Sequence, residues 1–372
     1  MVQGHLVARS GAPSSVTEES AAARGSAVTS LSASHVADSE VDTTVLVGHA
    51  DGVLRAWSRE PEVRAPDAAK TRVKRLSFPW AGSARAPAPS VPATLASLPC
   101  IGSSGETGHT GAVTSCAVAT SKLAASGGAD GAVRLWSLTK PKSRWEQTMS
   151  FDRAHRGSVE CVCAGGGQSG SHGTYSSHLV FSGGVDAQVC AWDPSASTPV
   201  CALRGHRGAV RVVRADATRL FSGSDDGSVR RWDLRTNRAV LVLDGSADGS
   251  SATGGRSSAS RITAMELGTP ADPIVVTGSS DGVLRVWDCR NADCPQLELP
   301  GHTNSVTCLQ WDFTKVLTGS LDTTLRLWNL QSGKCVQVLV GHSGPISALH
   351  FDESTVVSAS WDRTVRVWRS DQ

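Results

Sequence analysis

The chain has 372 residues, 40% of them hydrophobic, and a formal net charge of +2; it can bury a sizeable core, and its charge gives no reason to expect a nucleic-acid partner. No apolar run approaches the roughly 18 residues of a membrane span, and the N-terminus lacks the apolar stretch of a secretory signal, so no membrane partner is expected. Ten cysteines without a CxxC pair fit small buried hydrophobes better than a disulfide or zinc framework, which points to a reducing compartment, cytoplasmic and/or nuclear, with no metal or cofactor.

Along the chain one pattern recurs. It opens as DGVLRAW (51–57) and is followed by a Pro-, Ala- and charge-rich stretch, 59–92, read as a flexible insertion carrying the basic run KTRVKRLS (70–77). It returns as DGAVRLW (130–136), DAQVCAW (186–192) and DGSVRRW (226–232). After a second flexible insertion, 246–257, come DGVLRVW (281–287), DTTLRLW (322–328) and DRTVRVW (362–368). In every copy an Asp stands six residues before a Trp, and in six of the seven a Ser or Thr stands four residues before the Asp. The copies are short β-branched and apolar runs separated by Gly, Asp and Ser turns, the signature of antiparallel strands, with Asp-Gly marking tight hairpins. The minimum period is 40 residues, from Trp192 to Trp232, which leaves room for four strands.

These residues resemble the WD-repeat (WD40) family over nearly the whole chain. The resemblance implies an all-β fold: a seven-bladed WD40 β-propeller, four antiparallel strands per blade around a central channel, as a single domain over 1–372. The blades fall at about 24–107, 108–153, 154–204, 205–244, 258–300, 301–340 and 341–372. It also implies a ring closed by an N-terminal strand: RSDQ after Trp368 is too short for an outer strand, and His5 to Arg9 (residues 5–9) supply it. Arg24 and Ser258 stand where blades 1 and 5 should carry a His, so these two blades are expected to be held less tightly.

The recurring polar residues read as construction rather than catalysis. A buried indole N–H needs an acceptor, a hydroxyl can accept it and donate onward, and a His links that hydroxyl to an Asp. Complete sets are His109, Ser126, Asp130 and Trp136; His155, Ser182, Asp186 and Trp192; His206, Ser222, Asp226 and Trp232; His302, Thr318, Asp322 and Trp328; and His342, Ser358, Asp362 and Trp368. A catalytic site is needed once, and these sets occur in five blades, so no enzymatic activity is expected. An Arg two residues before the Trp, at 55, 134, 230, 285, 326 and 366, reads as a packing and solubility ladder.

In a meander the His segment and the Asp turn share one face, and a ligand is expected there. Arg156, Arg207 and Arg261 from blades 3 to 5, with Leu321, Pro345 and Trp361 from blades 6 and 7, make a half-basic, half-apolar rim suited to an acidic or phosphorylated peptide with an apolar anchor. Asp225 is expected to neutralise part of the basic half, and Glu160 and Arg211 to pair inside the channel. Two stretches end in WDxR, through Trp232, Asp233 and Arg235 and through Trp287, Asp288 and Arg290. They resemble the box of WD-repeat substrate receptors of cullin-RING ubiquitin ligases, which implies a ligase adaptor as a partner. The expected function is a non-enzymatic scaffold binding other proteins or peptides. It acts either as such a receptor or as a constitutive subunit of an assembly in RNA processing, ciliary transport or signalling.

Overall fold

The computed structural model describes residues 28–35, 43–49, 53–58, 100–103, 108–120, 123–137, 146–152, 154–166, 178–196, 198–216, 218–244, 260–269, 273–291, 294–312, 314–351, 355–362 and 364–369. The expected strand at 5–9 and both insertions, 59–92 and 246–257, lie outside the described residues. Among the described residues every regular element is a strand, and the strands form seven antiparallel sheets.

Blade 1 holds β1 (Val28–His35), β2 (Thr43–His49), β3 (Leu54–Ser58) and β4 (Cys100–Ser103). Blade 2 holds β5 (Val113–Thr120), β6 (Leu123–Gly128), β7 (Val133–Ser137) and β8 (Glu146–Phe151). Blade 3 holds β9 (Val159–Gly166), β10 (His178–Gly184), β11 (Gln188–Trp192) and β12 (Pro199–Arg204). Blade 4 holds β13 (Val210–Ala215), β14 (Leu220–Ser224), β15 (Ser228–Asp233) and β16 (Arg238–Asp244). Blade 5 holds β17 (Ile262–Leu267), β18 (Ile274–Ser279), β19 (Leu284–Asp288) and β20 (Leu297–Leu299). Blade 6 holds β21 (Val306–Asp312), β22 (Lys315–Ser320), β23 (Leu325–Asn329) and β24 (Lys334–Leu339). Blade 7 has three described strands, β25 (Ile346–Phe351), β26 (Thr355–Ser360) and β27 (Val365–Arg369).

Within each blade the strands pair in chain order, and the first strands of successive blades, from β1 to β25, pack side by side. The core therefore lies between blades rather than at one centre. Val133, Leu135 and Phe151 of blade 2 cluster with Val159, Val180 and Trp192 of blade 3, and the ring centroids of Phe151 and Trp192 are 4.4 Å apart. The same arrangement joins blades 3 and 4 through Trp232, blades 4 and 5 through Trp287, and blades 5 and 6 through Trp328. Each blade is thus stabilised chiefly by its neighbour.

Close nesting needs a missing side chain. A Cβ on Gly127, Gly183, Gly223, Gly278 or Gly319 would come within 2.5 to 2.6 Å of a Val or Ile methyl on the first strand of the next blade. That explains the glycine after the recurring hydroxyl. The register slips one residue before Trp136, Trp192, Trp232 and Trp328, and such a bulge increases local twist where the indole must turn into the seam. The cysteines with described surroundings are free thiols, and burial pushes Cys161 and Cys190 up to about 12, so these act as small hydrophobes.

Candidate interaction rim and the polar frame beneath it

In blades 2, 3, 4, 6 and 7 the His Nδ1 lies 2.8 to 2.9 Å from an Asp carboxylate oxygen. The His Nε2 lies 2.7 to 2.8 Å from the Ser or Thr hydroxyl. The indole N–H donates to that same hydroxyl at 2.8 to 2.9 Å. The pattern assigns one tautomer: Nδ1–H donates to the carboxylate, Nε2 accepts from the hydroxyl, and the indole, a donor only, fills the hydroxyl's acceptor side. Asp, His and Ser in this order are the parts of a hydrolytic relay. Yet Ser126, Ser182, Ser222, Thr318 and Ser358 are each 0% exposed, and a nucleophile with no route to substrate cannot act.

Burial pushes the His109, His302 and His342 imidazoles below their ordinary value, against the pull of their Asp partners. Burial alone would raise the carboxyls, but donated hydrogen bonds reverse that. His206, the Arg207 N–H and Ser228 hold Asp226 well below the usual carboxylate range, and Thr324 and His302 bring Asp322 to about 2. Ser228, Thr324 and Thr364 each add a hydroxyl to the frame Asp of blades 4, 6 and 7. They were not among the expected frame residues, although their sequence signal is plain: a Ser or Thr two residues after the Asp.

Blade 5 fills the place of the missing His with other donors. Without a His, Asp281 accepts from the Ser260 hydroxyl at 2.7 Å and from Arg285 Nη2 at 3.0 Å, and it bonds Ser279. Arg285 Nη1 also donates to Ser279 Oγ at 2.9 Å, and the Trp287 indole still reaches Thr277 at 3.0 Å. The Arg ladder needs correction. Arg230, Arg326 and Arg366 are half-buried, and a Cβ on Gly205, Gly301 or Gly341 would come within 2.8 to 3.1 Å of their Nη1 atoms. The glycine before each His clears room for an inward-lying guanidinium. Blade 3 carries Cys190 in the Arg position and, correspondingly, Ala154 before its His.

The frame reaches the rim through the main chain. The frame Asp accepts from the backbone N–H of Arg156 at 3.1 Å and of Arg207 at 2.9 Å. Main-chain bonds tie Ser280 N to Arg261 O, Leu321 N to Ser305 O, and Trp361 N to Pro345 O, each at 2.9 Å. Arg156, Arg207 and Arg261 are exposed, and Trp361 is 69% exposed. Leu321 and Pro345 are half-buried, so they form the floor of the apolar half rather than its crest. Asp225 does not pair with the rim arginines. It takes Arg211 Nη2 at 2.8 Å, while Arg211 Nη1 reaches Glu160 at 2.8 Å across the seam of blades 3 and 4. Among the described residues no carboxylate is ion-paired with Arg156, Arg207 or Arg261, and none form a cluster suited to a metal ion.

The two WDxR stretches end at the turns β15–β16 and β19–β20. Asp233 accepts from Arg235 N and Asp288 from Arg290 N, both at 2.9 Å, which is a turn device in its own right. The Arg290 guanidinium folds back onto Asp288 at 2.7 Å, while the Arg235 side chain is 85% exposed.

The sequence pattern of the family described as WD domain, G-beta repeat matches residues 100–137, 197–233, 243–288, 293–329 and 333–369, more than half of the chain. The chain belongs to the WD40 family. Mitochondrial division protein 1 of Eremothecium gossypii is 30% identical over 211 residues, covering 51% of this WD40 chain and 27% of its own length. The protein of the same name from Coccidioides immitis is 28% identical over 235 residues, 49% of this chain and 33% of its own. That of Pyricularia oryzae is 31% identical over 227 residues, 57% of this chain and 30% of its own. The chain spans about a third or less of these relatives. Their names overturn the expected cytoplasmic and/or nuclear placement. Cysteine usage reports a redox environment and cannot separate one reducing location from another.

Proposed function

We propose that this WD40 protein is a non-enzymatic interaction scaffold that docks partner peptides on its His-side rim. One observation carries the reading: Arg156, Arg207, Arg261 and Trp361 stand exposed on one face while the main chain beneath each is pinned. Pinned backbone loses little entropy on binding, and Arg and Trp are the residues that most often dominate an interface. The suited ligand is an acidic segment with an apolar anchor. We take residues 1–372 as one propeller unit in which residues 5–9 add to the three described strands of blade 7 along β27. The relatives' names favour a second, more specific reading, a scaffold serving mitochondrial division. The names of these relatives do not point to a cullin-RING adaptor role, and Arg290 is occupied by its own Asp288.

Affinity capture of the tagged chain from its native cells, beside the combined variant Arg156→Ala, Arg207→Ala, Arg261→Ala and Trp361→Ala, tests the rim. The variant is expected to keep its unfolding midpoint and lose its main partners. Full retention of every partner would overturn the docking face. Recovery of mitochondrial division components by the wild type supports the second reading.

A further inference from the structure

The outer edges of the blades are not alike. Among the described residues nothing pairs with the open side of β8, β12, β16, β20 or β24, and such an edge offers its backbone donors and acceptors to another strand. Several edges are blunted: β12 opens on Pro199, β20 has three residues, and β24 carries Lys334 with no carboxylate. Of the outer strands β4, β8, β12, β16, β20 and β24, only β16 carries both an acid and a base.

β16 reads RAVLVLD, and its exposure alternates from end to end. Arg238, Val240, Val242 and Asp244 are exposed, the two valines at 55% and 43%, while Ala239, Leu241 and Leu243 lie on the more buried face. The alternation holds even though the register against β15 slips between Leu241 and Ala239. Residues opposite one another in an antiparallel pair share a face. Arg238 and Asp244 each stand three residues from Leu241, and Val240 and Val242 one residue from it. Laid antiparallel on a second copy of itself about Leu241, β16 therefore sets Arg238 opposite the other chain's Asp244 and Val240 opposite its Val242, and the reverse. A shift of two residues in either direction parts both charge pairs.

We infer that β16 is a self-association edge: two copies of this chain pair antiparallel through it and join two four-stranded sheets into one, around a two-fold axis at Leu241. Such an edge is self-complementary, as a closed two-fold dimer requires. The valines supply apolar contact, and the exposed ion pairs, which add little affinity, set the register. One strand pair is a small interface, so the dimer is weak, with a Kd on the order of 10 µM. A dimer carries two rims, and a partner with two docking segments is then held more tightly by bivalence. That consequence rests on the docking-face reading, whereas the pairing itself does not.

Sedimentation velocity of the full chain at low salt, from about 1 to about 100 µM, tests the pairing. The wild type is expected to pass from monomer to dimer across that range. Arg238→Asp and Asp244→Arg each set like charges opposite one another at both ends of the strand pair, and each is expected to weaken dimerisation about tenfold while the unfolding midpoint holds. Mixed in equal amounts, the two variants restore opposite charges at both ends and are expected to dimerise about as well as wild type, which neither does alone. A wild type that stays monomeric throughout, single variants that dimerise as well as wild type, or a mixture no tighter than its components would overturn the inference. Dimerisation lost on Val338→Lys in β24 but unchanged by the β16 variants would also overturn it, since the contact would then lie on blade 6. Those outcomes leave partner capture on the rim intact, whereas failure of the docking-face reading shows as full partner retention by the rim variant.

Discussion

Blades 3 and 4 are neighbours built on one polar frame, and they differ in the side chains packed beside it. Blade 4 lays Arg230 inward, keeps Gly205 beside it, and adds Ser228 to its Asp226. Blade 3 has Cys190 in place of the Arg and tolerates Ala154 where the Gly would be. The His, hydroxyl, Asp and Trp distances agree between the two within 0.1 Å. The frame is therefore the fixed part, and its surroundings vary in compensated pairs, a large side chain facing an absent one.

The comparison breaks most visibly if the frame itself is cut. Ser222→Ala strands His206 Nε2 and the Trp232 indole, both buried, and is expected to cost about 2–5 kcal/mol in urea denaturation. A loss below about 1 kcal/mol would mean that packing, not the frame, holds blade 4. Next in size is the exchange between blades. Cys190→Arg alone should cost about 1–3 kcal/mol by overpacking against Ala154, and adding Ala154→Gly should return about 1 kcal/mol or more of it. Strict additivity of the two changes would show that the pairing is coincidental.

Smaller still is the hairpin. Ala187→Gly relieves a left-handed Ala, at φ 63° in the blade 3 hairpin, and should stabilise by about 1 kcal/mol, whereas Gly227→Ala, at φ 81° in blade 4, should destabilise by at least as much. A lower midpoint for Ala187→Gly would remove the strain from the comparison. The smallest effect is the pH response near neutrality. The His109, His302 and His342 imidazoles titrate below their ordinary 6.5 when folded, so the unfolded chain takes up protons first as pH falls. Stability should be full above that value and decline as pH drops below it, and depressed carboxyls such as Asp226 and Asp362 add a second loss below about pH 4. A midpoint that rose on mild acidification would contradict buried neutral histidines.

Much of this was legible in the sequence because each blade repeats one covalent spacing: six residues from Asp to Trp set a hairpin and a strand, and four from hydroxyl to Asp set the previous strand's end. Local spacing fixes local geometry, so the five complete frames could be read directly. What escaped depends on contacts between blades. Nothing in the spacing shows that Arg285 would take the place of a missing His, that Asp225 would turn to Arg211 rather than the rim, or that Leu321 and Pro345 would sink into the floor. The Gly205 and Arg230 pair lies 25 residues apart, and only the fold brings it together. Cellular placement was not legible either, since relatives rather than residues corrected it.

The most direct test of the division between fixed frame and working rim measures one pair of variants two ways. Ser222→Ala and the fourfold rim variant are each assayed for unfolding midpoint and, well below that midpoint, for partner capture. The expected result is a crossed pattern: Ser222→Ala lowers the midpoint and keeps the partners, while the rim variant keeps the midpoint and loses them. Loss of partners by Ser222→Ala while still folded, or their full retention by the rim variant, would contradict it.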